Sequence, residues 1–333
     1  MSHLTYAEAI VVGLFQGVTE LFPVSSLGHS VLIPALIGGQ WARDLSVSAP
    51  ESPYLAFIVG LHVATAVALL AYFWRDWLRI IGGLLSSLRD RQIQTPDQRL
   101  AWLLILATIP VGVSGLALEH LFRTVLGKPI PAAIFLTLNG LILYGGERLR
   151  RHAPAGAGVP AASPAVDVTG HAAGVTGHAA GVTGAAVQAR TATLPAADTD
   201  LASDRRLAAL GFAEATLIGS AQILALLAGI SRSGVTMVAG LARGLSHEDA
   251  ARFSFLLATP VILAAGLLKI PDLAGPLGAG IRGQALAGSL CSGIGAYLSV
   301  RFLVRYFQTR TLTPFAIYCI VAGLASLAYL TLT

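Results

Sequence analysis

The chain has 333 residues, 55% of them hydrophobic and only 12% charged, against roughly 25% charged in an ordinary soluble domain. That balance excludes a soluble enzyme and points to a polytopic membrane protein. The net charge of +5 does not indicate a nucleic-acid partner, because the basic residues have no aromatic interleaving and lie mostly between apolar runs.

No Lys or Arg precedes the first apolar run and no small-residue cleavage pattern follows it, so segment 8–38 is expected to stay in the protein. It holds the stretch QGVTELFPVSSLGHS, residues 16–30, in which Glu20, Pro23, Ser25, Ser26 and His29 interrupt an otherwise hydrophobic sequence. Phe22-Pro23 predicts a break in the helix with a short second apolar piece after it. A broken helix at membrane depth is tolerated only where protein or a cavity surrounds it. Apolar runs of near-spanning length then follow at 54–74, 100–118 and 129–146.

Residues 152–203 change character. VTGHAAG occurs at 168–174 and again at 175–181 within a tract rich in Ala, Gly, Pro and Thr. This tract predicts a disordered linker between a first membrane repeat at 1–151 and a second at 204–333. His171 and His178, seven residues apart in such a tract, do not make a metal site.

Segment 207–241 is interrupted at Gly229, and spans follow at 253–268, 284–300 and 312–333. At an offset of 206 the two interrupted segments share Glu8/Glu214, Ala9/Ala215, Gly13/Gly219, Gln16/Gln222, Ser25/Ser231 and Gly28/Gly234. Each half thus reads as a re-entrant helical hairpin plus three transmembrane helices. An odd number of crossings per half makes the repeats inverted, with the hairpin tips meeting near the midplane. Segments 75–99, 147–206, 242–252 and 301–310 hold 16 Lys/Arg, whereas 1–7, 39–53, 119–130 and 269–283 hold 5. By the positive-inside rule the first set is cytoplasmic and both termini are external. Cys291 and Cys319 lie inside apolar runs and read as buried free thiols.

Ionisable groups within membrane segments are functional hypotheses, which singles out Glu20, His29 and Arg232. In GISRSG, 229–234, the guanidinium of Arg232 offers a planar fork suited to phosphate. Ser231, Ser233 and Thr236 add donors, and the glycines allow close backbone approach at a helix start. The alternative is that Arg232 only neutralises Glu20. Ser25 and Ser26 beside His29 offer a nucleophile near a base. Glu20 could hold a divalent cation or position water. Equally, Ser, Gly and Pro serve to pack and turn membrane helices.

QGVTELFPVSSLGHS and GISRSGVT resemble the two signature segments of the undecaprenyl-diphosphate phosphatases, the bacitracin-resistance family. Further likeness lies in HVATAVALLAYFWRDW (62–77), EDAARFSFLLATPVILAAG (248–266) and TPFAIY (313–318). The resemblance implies removal of the terminal phosphate of undecaprenyl diphosphate in the bacterial inner membrane, recycling the lipid carrier of cell-wall synthesis. It implies catalytic Glu20, Ser26, His29 and Arg232, and phosphate-binding Ser25, Ser231, Arg232, Ser233 and Thr236. A divalent cation, Mg2+ or Ca2+, at Glu20 and an active site open to the external face also follow from it. Three nucleophiles stay open: Ser26 with His29 as base, His29 itself, or an activated water. The expected partners are the polyprenyl diphosphate lipid and the bilayer, with a homodimer left open.

The chain departs from the family pattern at four places. Gln16 stands where many members have a second Glu, which puts a two-carboxylate metal site in doubt. Leu27 replaces a usual Ser or Thr, Ala228 replaces the Pro before the Gly-x-Ser-Arg-Ser turn, and His62 lies where Gln is usual. The rival function for the same architecture is a flippase for polyprenyl phosphate.

Overall fold

The computed structural model describes residues 4–39, 45, 53–121, 128–152, 196–275 and 280–332. Among them the chain forms twelve α-helices, one 3-10 segment and no strand. Five helices are long and apolar enough to cross a membrane, or up to seven if each of two bent pairs counts as one span. The protein is a multi-pass, all-helical membrane protein.

The first hairpin is α1 (Tyr6–Leu21) followed by α2 (Ser26–Ile37). Its entry is fixed by a capping box: Glu8 N–H donates to Thr5 Oγ1 at 3.2 Å, and Thr5 N–H donates to Glu8 Oε2 at 2.8 Å. Its break follows from proline, which drives the preceding residue out of the helical region. Phe22 accordingly takes φ −66° and ψ 143°, and α1 ends one residue earlier.

The second interrupted segment is built the same way, from α8 (Phe212–Ser220), a 3-10 segment at Ala221–Leu226 and α9 (Arg232–Ala242). Here Gly211 N–H donates to Glu214 Oε2 at 2.9 Å, the counterpart of the Thr5–Glu8 contact. The expected spans appear as α3 (Pro53–Tyr72), α5 (Pro96–Leu121), α6 (Pro129–His152), α10 (His247–Ala274), α11 (Arg282–Thr309) and α12 (Thr313–Leu332).

Two helices were not expected from the sequence. In α4 (Trp74–Asp90), Trp74, Leu78, Ile81, Leu85 and Leu88 form one exposed apolar stripe, while Ile80, Gly83 and Ser87 are buried. The helix turns by 86° from α3. An amphipathic helix lying across the end of a span is the form that suits a membrane interface. The other is α7 (Ala196–Ala208), whose axis lies 102° from that of the segment Phe212–Leu226. Residues 196–203 of the stretch read as linker are therefore helical, and Asp200 and Asp204 are tied to the membrane part. Residues 153–195, with His171 and His178, lie outside the described residues.

Without a strong hydrophobic drive between helices in lipid, close backbone approach does the packing. α1 lies along α11, α8 along α5, and α6 along α12, while α10 packs on α3. A Cβ on Gly13 would come within 2.2 Å of Gly288 O, and one on Gly219 within 2.1 Å of Ala107 O. The sequence pair Gly13/Gly219 thus marks two equivalent tight crossings. Cys319 is a buried free thiol as expected, and Cys291 is free but only half-buried.

The four basic segments meet at one end of the bundle. Arg252 Nε and Nη1 donate to Asp204 and Asp200 at 2.8 Å, Arg79 binds Asp204 at 2.6 Å, and Arg206 binds Asp249 at 2.7 Å. Glu147 accepts from Leu312 N–H at 2.7 Å and pairs with His247 at 2.5 Å. At the other end Tyr6 touches Gly283, joining segments 1–7 and 269–283.

Candidate active site

The two hairpin tips meet at a cavity of about 310 Å³. Its polar wall is Glu20, Ser25, Ser26, His62, Gln222, Ser231 and Arg232, and its apolar wall includes Ile58, Val111, Leu226 and Ile262. The tips interlock through their own N-caps. Ser25 caps α2 by accepting from Gly28 N–H at 3.2 Å, and its hydroxyl also accepts from Gly229 N–H of the other tip at 3.2 Å. Ser231 caps α9 by accepting from Gly234 N–H at 3.2 Å and reaches back to Phe22 O at 3.4 Å.

Backbone conformation explains two residue choices. Gly229 has φ +115°, and a Cβ there would lie 2.5 Å from Ala132 O, so only glycine fits. Ser25 has φ +68°, a region that non-glycine residues enter at a cost and chiefly where surrounding structure holds them. The two hydrogen bonds accepted by the Ser25 hydroxyl hold it there, and Asn139 of α6, fully buried, fixes the neighbouring backbone. Its Oδ1 accepts from Ser231 N–H at 2.9 Å and its Nδ2 donates to Pro23 O at 3.1 Å, so one amide clamps both tips. Asn139 was not singled out from the sequence. An amide inside the apolar run 129–146 was the available signal.

Because α2 and α9 both begin at the cavity, their N-terminal N–H groups and dipoles favour an anion there. Arg232, the first residue of α9, pairs with Glu20 Oε1 across the tips. Glu20 Oε2 accepts a hydrogen bond from Ser26 Oγ and another from Gln16 Nε2 at 2.9 Å, and faces His62 Nε2 at 3.2 Å. The structure thus gathers Glu20, Ser25, Ser26, Ser231 and Arg232 at the cavity.

The other expected residues are placed behind it. His29 is buried, with Nδ1 at 2.7 Å from Ser25 O and Nε2 at 2.8 Å from Tyr318 Oη, and it stacks on the Tyr318 ring. Ser233 Oγ lies 3.0 Å from Ser231 Oγ, and Thr236 donates to Arg232 O at 2.8 Å within its own helix. The imidazole that does line the cavity is His62, noted in the sequence only as a departure.

Among the described residues no group of three His, Cys, Asp or Glu is gathered as a ready metal cage. A cation shared with substrate oxygens is another matter. One carboxylate oxygen of Glu20 faces His62, which lines the cavity, and Gln16, which is buried behind it with its Oε1 without a hydrogen-bond partner. Mg2+ in particular is commonly held by one or two carboxylates together with substrate phosphates, so this donor set fits such a cation.

The fold and site define a polytopic membrane protein with a cavity that has an arginine and two helix N-termini on one side and apolar side chains on the other. Its family follows from comparison with known proteins: the chain belongs to the bacitracin resistance protein BacA family, whose model matches residues 9–325. It is 65% identical over 331 residues to an undecaprenyl-diphosphatase of Mycolicibacterium paratuberculosis, covering 99% of each chain. It is 58% identical over 361 residues to undecaprenyl-diphosphatase 1 of Frankia casuarinae, covering 97% of each, and 40% identical over 326 residues to undecaprenyl-diphosphatase 2 of Chromobacterium violaceum, covering 97% of this chain and 98% of that one.

Proposed function

We propose that this chain hydrolyses undecaprenyl diphosphate to undecaprenyl phosphate and inorganic phosphate, recycling the lipid carrier for cell-wall synthesis and conferring bacitracin resistance. The observation that carries the reading is the meeting of Arg232 with Glu20 and Ser26 from the opposite tip, at two helix N-termini and against an apolar wall. The apolar wall suits the first isoprene units, and the polar end suits the diphosphate.

In this reading Arg232 and the helix N-termini hold the terminal phosphoryl group and stabilise charge in its transition state. Ser26 Oγ passes its proton to Glu20 and attacks the terminal phosphorus. The bond from that phosphorus to the bridging oxygen breaks, and undecaprenyl phosphate leaves with the electron pair. The proton on Glu20 passes to that leaving oxygen, and the regenerated carboxylate deprotonates a water that displaces inorganic phosphate from Ser26, whose hydroxyl recovers the proton. His29 holds the Ser25 carbonyl and so positions the nucleophile instead of touching it. The divalent cation, held by Glu20 with the diphosphate oxygens, would supply charge neutralisation and polarise the phosphoryl group.

We place the protein in the bacterial inner membrane, with the basic end cytoplasmic, both termini outside and the site open to the external face. The 16-to-5 asymmetry of basic residues supports this orientation. We further propose that residues 1–151 and 204–333 are inverted repeats. The packing supports it: α1 on α11 and α8 on α5 exchange under such a symmetry, whereas α6–α12 and α3–α10 map onto themselves.

The test is release of inorganic phosphate from undecaprenyl diphosphate by purified protein in detergent, where transport has no meaning. Release expected of the parent should vanish in Ser26→Ala. Absence of release by well-folded parent across several divalent cations would overturn the assignment in favour of a flippase.

A further inference from the structure

Three polar atoms from two helices cluster at one corner, where Glu20 and His62 line the cavity and Gln16 is buried behind them. The terminal amide position of Gln16 that holds Nε2 lies 2.9 Å from Glu20 Oε2 and 3.1 Å from His62 Nε2, and the last two are 3.2 Å apart. Gln16 and Glu20 stand one turn apart on α1, and His62 comes from α3. Adjacent ligands on an octahedral cation with bonds of about 2.1 Å are themselves about 3.0 Å apart. The three positions therefore have the spacing of one triangular face of a coordination sphere.

The chemistry of each position agrees. His62 Nδ1 lies 2.8 Å from Ile58 O, a carbonyl that can only accept, so in the neutral ring Nδ1 carries the hydrogen and the Nε2 lone pair faces Glu20. Ligating histidines ordinarily donate their other N–H to a carbonyl in this way. Gln16 is 1% exposed, and its Oε1 has no hydrogen-bond partner. A half-turn of that amide would place Oε1 on the face, where a bound cation would satisfy it. Arg232 pairs with Glu20 Oε1, and Oε2, which also accepts from Ser26 Oγ, is the carboxylate oxygen turned to this corner.

We propose that His62 is a ligand of the site's divalent cation, completing with Glu20 and Gln16 a facial set of one nitrogen and two oxygens. The inference rests on the cation reading of Glu20 given above and sharpens it. An imidazole in the set favours first-row transition ions over Mg2+ and Ca2+. The opposite face stays open for phosphate oxygens, and since Arg232 already balances Glu20, the ion is held tightly only when diphosphate supplies charge.

The experiment is Mn2+ binding to the purified full chain in detergent, with and without inorganic diphosphate, followed by electron spin-echo spectroscopy. The parent is expected to bind Mn2+ more tightly with diphosphate and to show the nitrogen coupling of a bound imidazole, altered when histidine is labelled with 15N. His62→Gln should lose that coupling and bind Mn2+ at least ~10-fold more weakly. Mn2+ held without nitrogen coupling in the parent, or with coupling unchanged in His62→Gln, overturns the role of His62. The Glu20 reading then stands if Glu20→Gln abolishes binding. No Mn2+ held under either condition overturns both, while phosphate release decides the hydrolytic reading separately. The parent spectra alone are decisive should His62→Gln fail to fold.

Discussion

The first hairpin tip and the second share capping and packing residues but differ in the residues proposed to do the chemistry. Positions that coincide at the offset of 206 do architectural work in both: Glu8 and Glu214 complete N-terminal caps, Gly13 and Gly219 admit a neighbouring helix, and Ser25 and Ser231 cap the second helices. Positions that differ are the ones proposed to carry the reaction. Glu20 faces Leu226 across the comparison, Ser26 faces Arg232, and His29 faces Val235. Gln16 and Gln222 share a residue but not a use, since Gln16 bridges Glu20 and His62 whereas Gln222 donates to Gly219 O at 3.3 Å within its own tip. Two similarly capped and packed hairpins can thus share their fold-determining residues and still hold the acid in one and the cation in the other.

The largest effects should come from the unshared positions. Arg232→Lys keeps the charge but loses the planar fork, and Glu20→Gln keeps the shape but loses the base. Each should lower phosphate release at least ~100-fold, the scale of a lost transition-state contact, with little change in melting temperature. Near-normal release in both variants would erase the division of chemistry between the tips.

His29 is unshared yet faces away from the cavity. If it positions Ser26 through the Ser25 carbonyl, His29→Ala should cost up to ~100-fold through misplacement alone. Because Tyr318 Oη is its other partner, Tyr318→Phe should reproduce a small part of that loss. A pH–rate profile that keeps its shape in His29→Ala would support positioning; loss of one limb would make His29 an acid or base in the reaction.

Asn139 belongs to neither tip and binds both. Asn139→Leu leaves Ser231 N–H buried without its acceptor, at about 1–3 kcal/mol, and Pro23 O with only the weak 3.8 Å contact from Cys319 Sγ. Thermal unfolding in detergent should show the loss, and activity should fall with stability instead of ahead of it. A stable but inactive variant would mean that Asn139 does more than clamp.

Composition, apolar run length and basic-residue counts made the spans and the basic end legible, because those features follow from the bilayer as solvent. The hairpin breaks were legible from Pro23 and Gly229. The helical character of 74–90 was not, since its apolar stripe is spaced for one face of a short helix and never forms a spanning run. Likewise α7 lies beside a tract of opposite character, so its few anchoring aspartates, Asp200 and Asp204, gain meaning only opposite Arg79 and Arg252. Within the site, Glu20, Ser26 and Arg232 were legible as charged or polar residues in apolar surroundings. His62 and Asn139 were harder to see, because their partners lie on other helices and nothing within three or four residues of them signals the contact.

The smallest expected effect separates the two capping serines. A lost N-cap hydroxyl costs about 1 kcal/mol on its own, and that much is expected for Ser231→Ala, whose hydroxyl accepts from Gly234 N–H. Ser25→Ala removes the same kind of cap and in addition the acceptor for Gly229 N–H, which is buried at the tip contact. It also leaves a non-glycine residue at φ +68° without the hydrogen bonds that hold it there. Ser25→Ala should therefore destabilise the protein by roughly 1–3 kcal/mol more than Ser231→Ala, the cost of an unpaired buried N–H. Ser25→Gly should recover part of that difference, because glycine accepts the backbone conformation without strain, whereas Ser231→Gly starts from an extended residue with no such strain to relieve. Melting temperatures of the four variants in one detergent measure the comparison. Equal losses for Ser25→Ala and Ser231→Ala would mean that the Gly229 contact contributes nothing, and that the tips are held together by Asn139, the Arg232–Glu20 pair and the Ser231–Phe22 contact.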